Sequence, residues 1–252
     1  MPNWYCTALT LLVAYCLACS PAIAAASANN ERVILIAAED SWPPFSNEKG
    51  EGISSRIATA AFNHSGYQIK TIVMPYARAL REAASGGVAA CWNVTRQTNT
   101  EETYHFGNEP LLQAKISFYY RKDTPLNYQS IDDLADNTQV GVIIGYEYGD
   151  DYENQKSRLQ PKAVSNQFNL LKMLDAKRLD VVLMFDKVFE STIKKHNLNP
   201  DDYVRGVNFY TSDIYIAFHK ESSDALRYSN ALDKGLIHLK ESGEYDKLFN
   251  SL

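Results

Sequence analysis

Two adjacent acids and a rigid aromatic loop follow the first apolar run after the leader of this chain. The run Val33–Ala38 leads into Glu39-Asp40 and then into Trp42-Pro43-Pro44-Phe45. The two prolines fix φ and remove two backbone donors, so the loop cannot extend the strand and presents its aromatic rings instead. Ligands bind at the carboxyl ends of strands in α/β domains. We predict that Trp42 and Phe45 form stacking walls, and that one of the two acids, Glu39, faces the cleft and could take a ligand amine while the other is solvated. The alternative is an ordinary turn whose aromatic rings pack into the core.

Comparable positions follow later predicted strands. Trp92-Asn93 lies near the end of the third strand, where an aromatic ring and an amide suit a cleft. Gly145-Tyr146 lies where a strand meets a helix, so free N–H groups could bind an anionic ligand group while Tyr146 lines the pocket. Arg78 begins a helix and could contact the ligand, or it could be a solvated helix charge. These residues are added to the predicted binding site.

The sequence contains no arrangement typical of a catalytic or metal centre. No acid dyad or His-based triad is marked, and the histidines are scattered without ligand spacing. They are His64, His105, His196, His219 and His238. We predict no catalytic residue, no metal and no cofactor.

The charge balance and the cysteines exclude further classes. Lys and Arg number 25 against 30 Asp and Glu, a mildly acidic mixture that argues against nucleic acid and anionic membrane surfaces as partners. Three of the four cysteines lie in the leader, so the remainder keeps only Cys91 and can form no internal disulfide. Cys91 is expected to be a small buried hydrophobe.

The first 30 residues carry no charged side chain and contain the apolar run Ala8–Ala18. A run of this length matches a signal-peptide core and is too short to span a bilayer. We predict a signal peptide over residues 1–28, with cleavage near Ala25 or Asn29 and a soluble mature protein. Cys19 raises the question of a lipid anchor, but the residues before it form a poor lipobox.

Strands and helices alternate in two series. The first has strands Val33–Ala38, Tyr67–Met74 and Val88–Val94 and helices Gly52–Ser65 and Ala77–Ala84. The second has strands Thr138–Ile144 and Asp180–Phe185 and helices Tyr152–Leu159, Gln167–Ala176 and Asp186–Lys195. Each series predicts a parallel sheet with right-handed crossovers. Helices Ala225–Ser242 and Tyr245–Leu252 close the chain.

Two long extended segments, Pro110–Arg121 and Asn208–His219, separate the series. We therefore predict an α/β fold of two lobes joined by two extended hinge crossings. Lobe 1 comprises 29–114 and 211–252, and lobe 2 comprises 115–210. A cleft between such lobes is a favoured ligand site and closes by hinge motion, here about Gln113–Ser117 and Phe209–Ser212.

The order and intervals of several motifs resemble those of the periplasmic solute-binding proteins of the amino-acid type, called family 3. They are Trp42-Pro43-Pro44-Phe45, Pro75-Tyr76-Ala77-Arg78-Ala79-Leu80, Phe106 before Asn108-Glu109-Pro110, Val140–Gly145, Leu171–Asp180 and Leu239–Phe249. The resemblance implies a periplasmic, monomeric protein that captures a small polar solute, an amino acid or a related compound, in the interlobe cleft for an ABC-type membrane permease.

Two positions depart from what the resemblance implies. The amino-acid binders hold the ligand carboxylate with an Arg at the position of Thr100; the nearest cation is Arg96, which could replace it or pair with Glu101. They place an acid for the α-amino group at the position of Phe185. Asp186, one residue further, could serve there or only cap a helix. The identity of the ligand is left open.

Two other functions share this scaffold. One is an enzyme resembling the periplasmic dehydratases of cyclic acids, for which Glu39, Asp40, Glu147 or Asp186 could be the general acid. The other is a sensory module that presents its ligand to a membrane receptor. We predict a binding protein and no enzyme. The acidic loop Glu147–Glu153 hints at a cationic ligand, although a solvated loop is the interpretation we prefer.

Overall fold

The computed structural model describes residues 32–124, 126 and 128–250. The predicted signal peptide, its cleavage positions and Cys19 lie outside the described residues. Among the helices that are described, none has the length and apolar character needed to cross a membrane.

The described residues form nine strands, eight α-helices and three short 3-10 helices. The strands are β1 Val33–Glu39, β2 Gln68–Met74, β3 Ala90–Thr95, β4 Tyr104–Phe106, β5 Leu112–Arg121, β6 Gln139–Ile143, β7 Gln160–Val164, β8 Val181–Phe185 and β9 Tyr203–His219. The α-helices are α1 Ile53–His64, α2 Tyr76–Ala84, α3 Thr98–Thr103, α4 Asp150–Gln155, α5 Gln167–Asp175, α6 Asp186–His196, α7 Ala225–Glu241 and α8 Glu244–Asn250. The 3-10 helices are Ile131–Asp133, Lys156–Arg158 and Pro200–Asp202.

The strands form one curled sheet in the order β2-β1-β3-β9-β5-β8-β6-β7, and β4 pairs with β9. β1 lies parallel to β2 and β3, and β6 lies parallel to β7 and β8. The two parallel units predicted from the alternating series are therefore confirmed. The two units run in opposite directions, and the C-terminal ends of β3 and β8 both reach the β5–β9 pair near its middle, at Ile214 and Ile116, so their carboxyl edges face a common cleft.

The antiparallel pair β5–β9 connects the two units, which confirms the predicted extended crossings. Ile116 pairs with Tyr210, but Ser117 pairs with Asn208, so Phe209 is an extra residue in β9. The Asn208 side-chain amide donates to the carbonyls of Ile116 and Tyr210, at 2.8 and 2.9 Å, and secures this bulge. A bulge locally interrupts the ladder and bends its strand. It lies within the predicted hinge; the hinge motion and lobe boundaries stay predictions.

Several elements differ from the sequence prediction. β7 was not predicted, because this edge strand contains Pro161 and is mostly exposed, so it lacks an apolar pattern. The helix predicted over Tyr152–Leu159 begins at Asp150, ends at Gln155 and continues as a 3-10 turn. β9 begins at Tyr203, five residues before the predicted start at Asn208, because its half-buried first residues carry no clear apolar alternation.

The loop that carries the first aromatic residues is anchored on the start of α1. The carbonyls of Pro44 and Phe45 accept hydrogen bonds from the amides of Ile53 and Ser54, each at 3.1 Å. Amides at a helix start have no partner within the helix, so the loop satisfies them. Gly52 makes this approach possible: its φ of 152° and ψ of −166° are essentially restricted to glycine, and a Cβ there would lie 2.2 Å from the Phe45 carbonyl oxygen.

We expect Gly52→Ala to lower the free energy of unfolding by about 3 kcal/mol, because the backbone is strained and the loop must move away. Urea unfolding measures this change. Gly66→Ala is the control: Gly66 has φ 79° but open space around it, so the cost is about 1 kcal/mol. Equal losses in the two variants would contradict the anchoring of the loop on α1.

Candidate functional site

A small cavity lies where the carboxyl ends of the strands from both parallel units meet. It is lined by Glu39, Trp42, Tyr76, Asn93, Thr95, Tyr146, Glu147 and Phe185. We call this the central cavity. The first five residues follow or end β1, β2 and β3, and the last three follow or end β6 and β8. Both lobes therefore supply its wall, as expected for a ligand site between them.

Glu39 ends β1 and is only 2% exposed. Its carboxylate accepts a hydrogen bond from the Tyr146 hydroxyl and a long one, 3.5 Å, from the Asn93 amide. Burial raises the pKa of Glu39 to about 8, since the two hydrogen bonds offset only part of the desolvation and the neighbouring Asp40 and Glu147 add to it. Near neutral pH this carboxyl is mostly protonated in the closed cleft.

Glu147 repeats this arrangement from the opposite lobe. It follows β6, is 7% exposed, and accepts a 2.7 Å hydrogen bond from the Tyr76 hydroxyl. Burial raises its pKa to about 8 as well, against the hydrogen bonds from Tyr76 and from the backbone. Each acid therefore meets a tyrosine of the other lobe, and the rings of Tyr76 and Tyr146 pack edge to face at 5.1 Å.

Asn93 is aimed at Glu39 by a bulge in β3. The pairing of β3 with β9 shifts register between Trp92 and Val94, and Asn93 has φ 69°, which asparagine tolerates better than most residues. Its side-chain oxygen accepts a 2.6 Å hydrogen bond from the Ser54 hydroxyl on α1. This bond leaves the amide nitrogen to donate to Glu39. A bulge that redirects a side chain is common next to binding sites.

Aromatic rings close the floor of the central cavity. Trp42, 1% exposed, packs at 4.3 Å on Phe45 and edge to face at 4.9 Å on Phe185 of the other lobe. Its indole N–H is buried and has no hydrogen-bond acceptor among the described residues. Phe45 lies behind Trp42 and lines a separate cavity that also contains Asp186. The predicted pair of aromatic rings is therefore present, and Trp42 is the one of the two that lines the central cavity.

The structure does not bring the remaining predicted residues into the central cavity. Arg78 pairs with Glu82 at 3.7 Å and its side chain is 61% exposed. Arg96 pairs with Glu101 and lies over the rings of Phe106 and Tyr215. Trp92 is completely buried in the core. Their contact with a ligand stays a prediction that this geometry does not favour.

Asp186 and Thr100 have structural partners of their own. Asp186 accepts hydrogen bonds from the Tyr119 hydroxyl, at 2.9 Å, and from Arg205, at 3.4 Å. The Thr100 hydroxyl donates to the Thr95 carbonyl at 2.8 Å and accepts from the Gln97 amide at 2.9 Å. Thr100, at the position where the resemblance implies a ligand-binding arginine, therefore stabilises the turn before α3 through its hydroxyl.

The cleft is closed tightly in this structure. The central cavity has a volume of ≈ 10 Å³, about the space for one water molecule. A wider outer cavity of ≈ 580 Å³ adjoins it and is lined by Glu39, Tyr76 and Tyr146 as well as by Asp40, Ser41 and Lys195. An amino-acid-sized ligand in the centre therefore requires the two tyrosines to move.

Four lining residues were absent from the predicted site: Tyr76, Thr95, Glu147 and Phe185. Tyr76 follows Pro75 directly after β2, and Glu147 follows Gly145-Tyr146 after β6. The rule that parallel strands present their carboxyl ends to one edge would have selected both. The acidic loop was instead interpreted as solvated, because four acids between 147 and 153 look polar; Glu147 is in fact buried.

The two buried carboxyls predict an unusual dependence of stability on pH. Their folded pKa values of about 8 exceed the ordinary 4.5 of glutamate, so the folded protein holds more protons than the unfolded chain between these values. Stability contributed by these groups is therefore present at about pH 5 and lost toward pH 8, by up to about 1.4 kcal/mol per pH unit for each carboxyl.

Thermal unfolding of the ligand-free protein between about pH 5.5 and 8.5 measures this effect. Glu39→Gln and Glu147→Gln should each flatten the fall in Tm, whereas Glu82→Gln, which is partly exposed on α2 and lies outside the central cavity, should leave it unchanged. A double variant, Glu39→Gln with Glu147→Gln, that follows the same curve as the parent protein would show that neither carboxyl is protonated in the folded state.

Known proteins of one family resemble this chain in sequence. The sequence profile of the bacterial extracellular solute-binding proteins, family 3, matches residues 34–251. A probable histidine-binding protein of Neisseria gonorrhoeae is 25% identical over 261 residues, covering 99% of this chain and 94% of that protein.

Two solved structures share the fold. AbpA of Streptococcus pneumoniae, an amino acid ABC transporter substrate-binding protein bound to L-arginine, superposes with a TM-score of 0.72 at 22% identity and covers 89% of this chain and 96% of its own. The ancestral amino acid-binding protein AncCDT-1, a precursor of cyclohexadienyl dehydratase, gives 0.71 at 18% identity, with 88% and 96% covered. The profile match over most of the chain shows that this protein belongs to the bacterial extracellular solute-binding proteins of family 3.

Proposed function

We propose that this protein reversibly captures a small polar solute, an amino acid or a related compound, between its lobes and delivers it to a membrane permease after export. The observation that carries the proposal is a pair of acid–tyrosine hydrogen bonds that cross the cleft in opposite directions. Glu39 meets Tyr146, and Glu147 meets Tyr76, so each lobe brings one acid and one hydroxyl. The names of the similar proteins support an amino-acid-type solute.

Closure and binding would use the same residues. Opening the lobes separates both acids from their tyrosines, which leaves two carboxyl groups free to meet a ligand. Away from the central cavity, the Gly149 amide donates to Gln97 at 3.1 Å and the Thr98 hydroxyl donates to Asp150 at 3.0 Å. These contacts hold the lobes together in the closed form. A ligand that binds the closed form better shifts the equilibrium toward it, with no chemical step.

An enzyme on this scaffold is the second candidate, and one observation favours it. Two carboxyls with pKa values of about 8 could act as general acids near neutral pH. Against it, the central cavity pairs each acid with a neutral tyrosine, and the pKa values of Tyr76 and Tyr146 are raised well above their ordinary value, so neither is an available base. We therefore propose a binding role and no catalysis.

A thermal-shift screen of the purified chain 29–252 against amino acids, amines, organic acids and cyclic dienyl acids tests this proposal. A ligand present at about a thousand times its Kd should stabilise the protein by about 4 kcal/mol. Glu39→Gln and Glu147→Gln should reduce that shift, whereas Glu82→Gln should keep it. Mass spectrometry of the recovered solute should find it unchanged; conversion to a product would make the protein an enzyme.

Export is tested separately. We expect expression of the full chain in a Gram-negative host to yield a periplasmic protein whose intact mass corresponds to a start near Ala25 or Asn29. The reason is the short apolar core of the leader, which is typical of a cleaved signal peptide although no Lys or Arg precedes it. A chain that lacks residues 1–28 should stay in the cytoplasm. A mass that includes a lipid on Cys19, or an uncleaved leader, would contradict this prediction.

A further inference from the structure

We propose that the solute of this cleft carries two cationic groups, amines or a guanidinium, and lacks a carboxylate, with one cation held by Glu39 and the other by Glu147. This inference rests on the proposed function and specifies its ligand class. In the closed structure the hydroxyls of Tyr146 and Tyr76 occupy the positions beside these carboxylates that the ligand cations would take.

Neither acid has a cationic side chain beside it in the central cavity. None of the residues lining the central cavity is Lys, Arg or His. The two arginines nearest in sequence to the cavity loops, Arg78 and Arg96, pair with Glu82 and Glu101, which do not line the cavity. A buried carboxylate without a cationic partner is costly, and in the closed form protonation and the tyrosine hydroxyls reduce this cost. A ligand that supplies both charges removes the cost at both sites.

An ordinary amino acid would also bring a carboxylate. It would enter a cavity with two acids and no compensating cation, so it would be buried without a partner charge, and an acid that gives up its proton to pair with the ligand amine would repel it. Thr100, at the position where the resemblance implies an arginine, has its hydroxyl bonded to the backbone of Thr95 and Gln97. Lys195 lines only the outer cavities, where it faces Glu48 at 3.8 Å.

The cavity offers neutral donors in place of a cation. The Trp42 indole N–H lacks an acceptor among the described residues, and the Asn93 amide makes only a long bond to Glu39. These groups suit a hydroxyl or carbonyl oxygen between two cationic ends, or a purely hydrocarbon spacer against the Trp42 ring. An aromatic ring also favours an adjacent organic cation.

Binding of such a ligand releases protons. Asp40, Glu147, Tyr146 and Asn93 surround Glu39, while Tyr76, Glu153 and Glu39 surround Glu147. Both carboxyls hold a proton in the closed ligand-free form and must lose it to pair with an ammonium or guanidinium group. The two protons pass to the solvent and the ligand keeps its own. Because release is favoured as the proton concentration falls, affinity should rise between about pH 6 and 8, by up to tenfold per pH unit for each proton.

The test compares solutes that differ only by a carboxylate: agmatine with arginine, cadaverine with lysine, and histamine with histidine. Isothermal titration of the chain 29–252 at pH 7, in buffers of different ionisation enthalpy, measures both the affinity and the number of protons released. In at least one pair we expect the amine to bind at least about tenfold more tightly than its amino acid, since about 1.4 kcal/mol of repulsion suffices. That binding should release between one and two protons.

Variants separate the role of the acids from general damage to the cleft. Glu39→Gln and Glu147→Gln should each weaken amine binding by about 30-fold or more and reduce proton release by up to one. Glu82→Gln, outside the central cavity, is the matched control and should change neither quantity. Each variant should keep the circular-dichroism spectrum of the parent protein, which shows that the chain remains folded.

Three results would overturn the inference. They are tighter binding of the amino acid in every pair, binding without proton release, or no detectable binding of any diamine. In the first two cases the proposed capture of a solute still stands. In the third case, a thermal shift with neutral or acidic amino acids would preserve the proposed function, whereas its absence in the whole screen would contradict both.

Discussion

The cost of burying two carboxyl groups without a cation governs this cleft. Glu39 and Glu147 face the same small cavity from opposite lobes, and desolvation is the largest influence on both. Protonation and the tyrosine hydroxyls make this burial tolerable in the closed form. Opening the lobes, a change in pH or the arrival of a cation would each relieve the same cost by a different route. In the binding cycle that we propose, lobe closure, proton binding and ligand binding would therefore be thermodynamically linked.

The fold brings these groups together through the edges of its parallel strands. β1 and β3 supply Glu39 and Asn93 from one unit, and the segment after β6 supplies Tyr146 and Glu147 from the other. The antiparallel pair β5–β9 connects the units, and its bulge at Phe209 interrupts the ladder between them. A continuous sheet fixes the relative position of the two edges, while the local irregularity offers a place where that sheet can bend.

Departures from the family pattern have a consistent physical meaning. Thr100 and Phe185 stand where the resemblance implies a ligand-binding arginine and an acid. In the structure both side chains make other contacts. Thr100 stabilises a turn through its hydroxyl, and Phe185 packs against Trp42. Loss of the arginine removes the partner of a ligand carboxylate, while Glu147 adds an acid on the opposite wall. For the ligand class that we propose, recognition would therefore rest on acids in place of the arginine, while the scaffold is kept.

The sequence by itself determined the architecture and the first wall of the site. Alternating strand and helix patterns, two long extended segments and the Trp42-Pro43-Pro44-Phe45 loop were sufficient for two parallel units, two crossings and an aromatic surface beside Glu39. These features depend on local periodicity and on backbone restrictions, which are readable along the chain. Short or exposed elements such as β7 were missed because they bury too little to leave a pattern.

Only the tertiary structure decided which polar residues share the cavity. Glu147 lies in a stretch rich in acids that looks solvated, and its burial depends on Tyr76, 71 positions earlier in the chain. The location of Arg96 is likewise set by contacts with Glu101, Phe106 and Tyr215, which turn it away from the cleft. The strand pattern could place Glu147 at the edge that faces the cleft, but burial and charge pairing arise from long-range packing, so only the structure showed that both acids are buried in one cavity with, among its described lining residues, no cation.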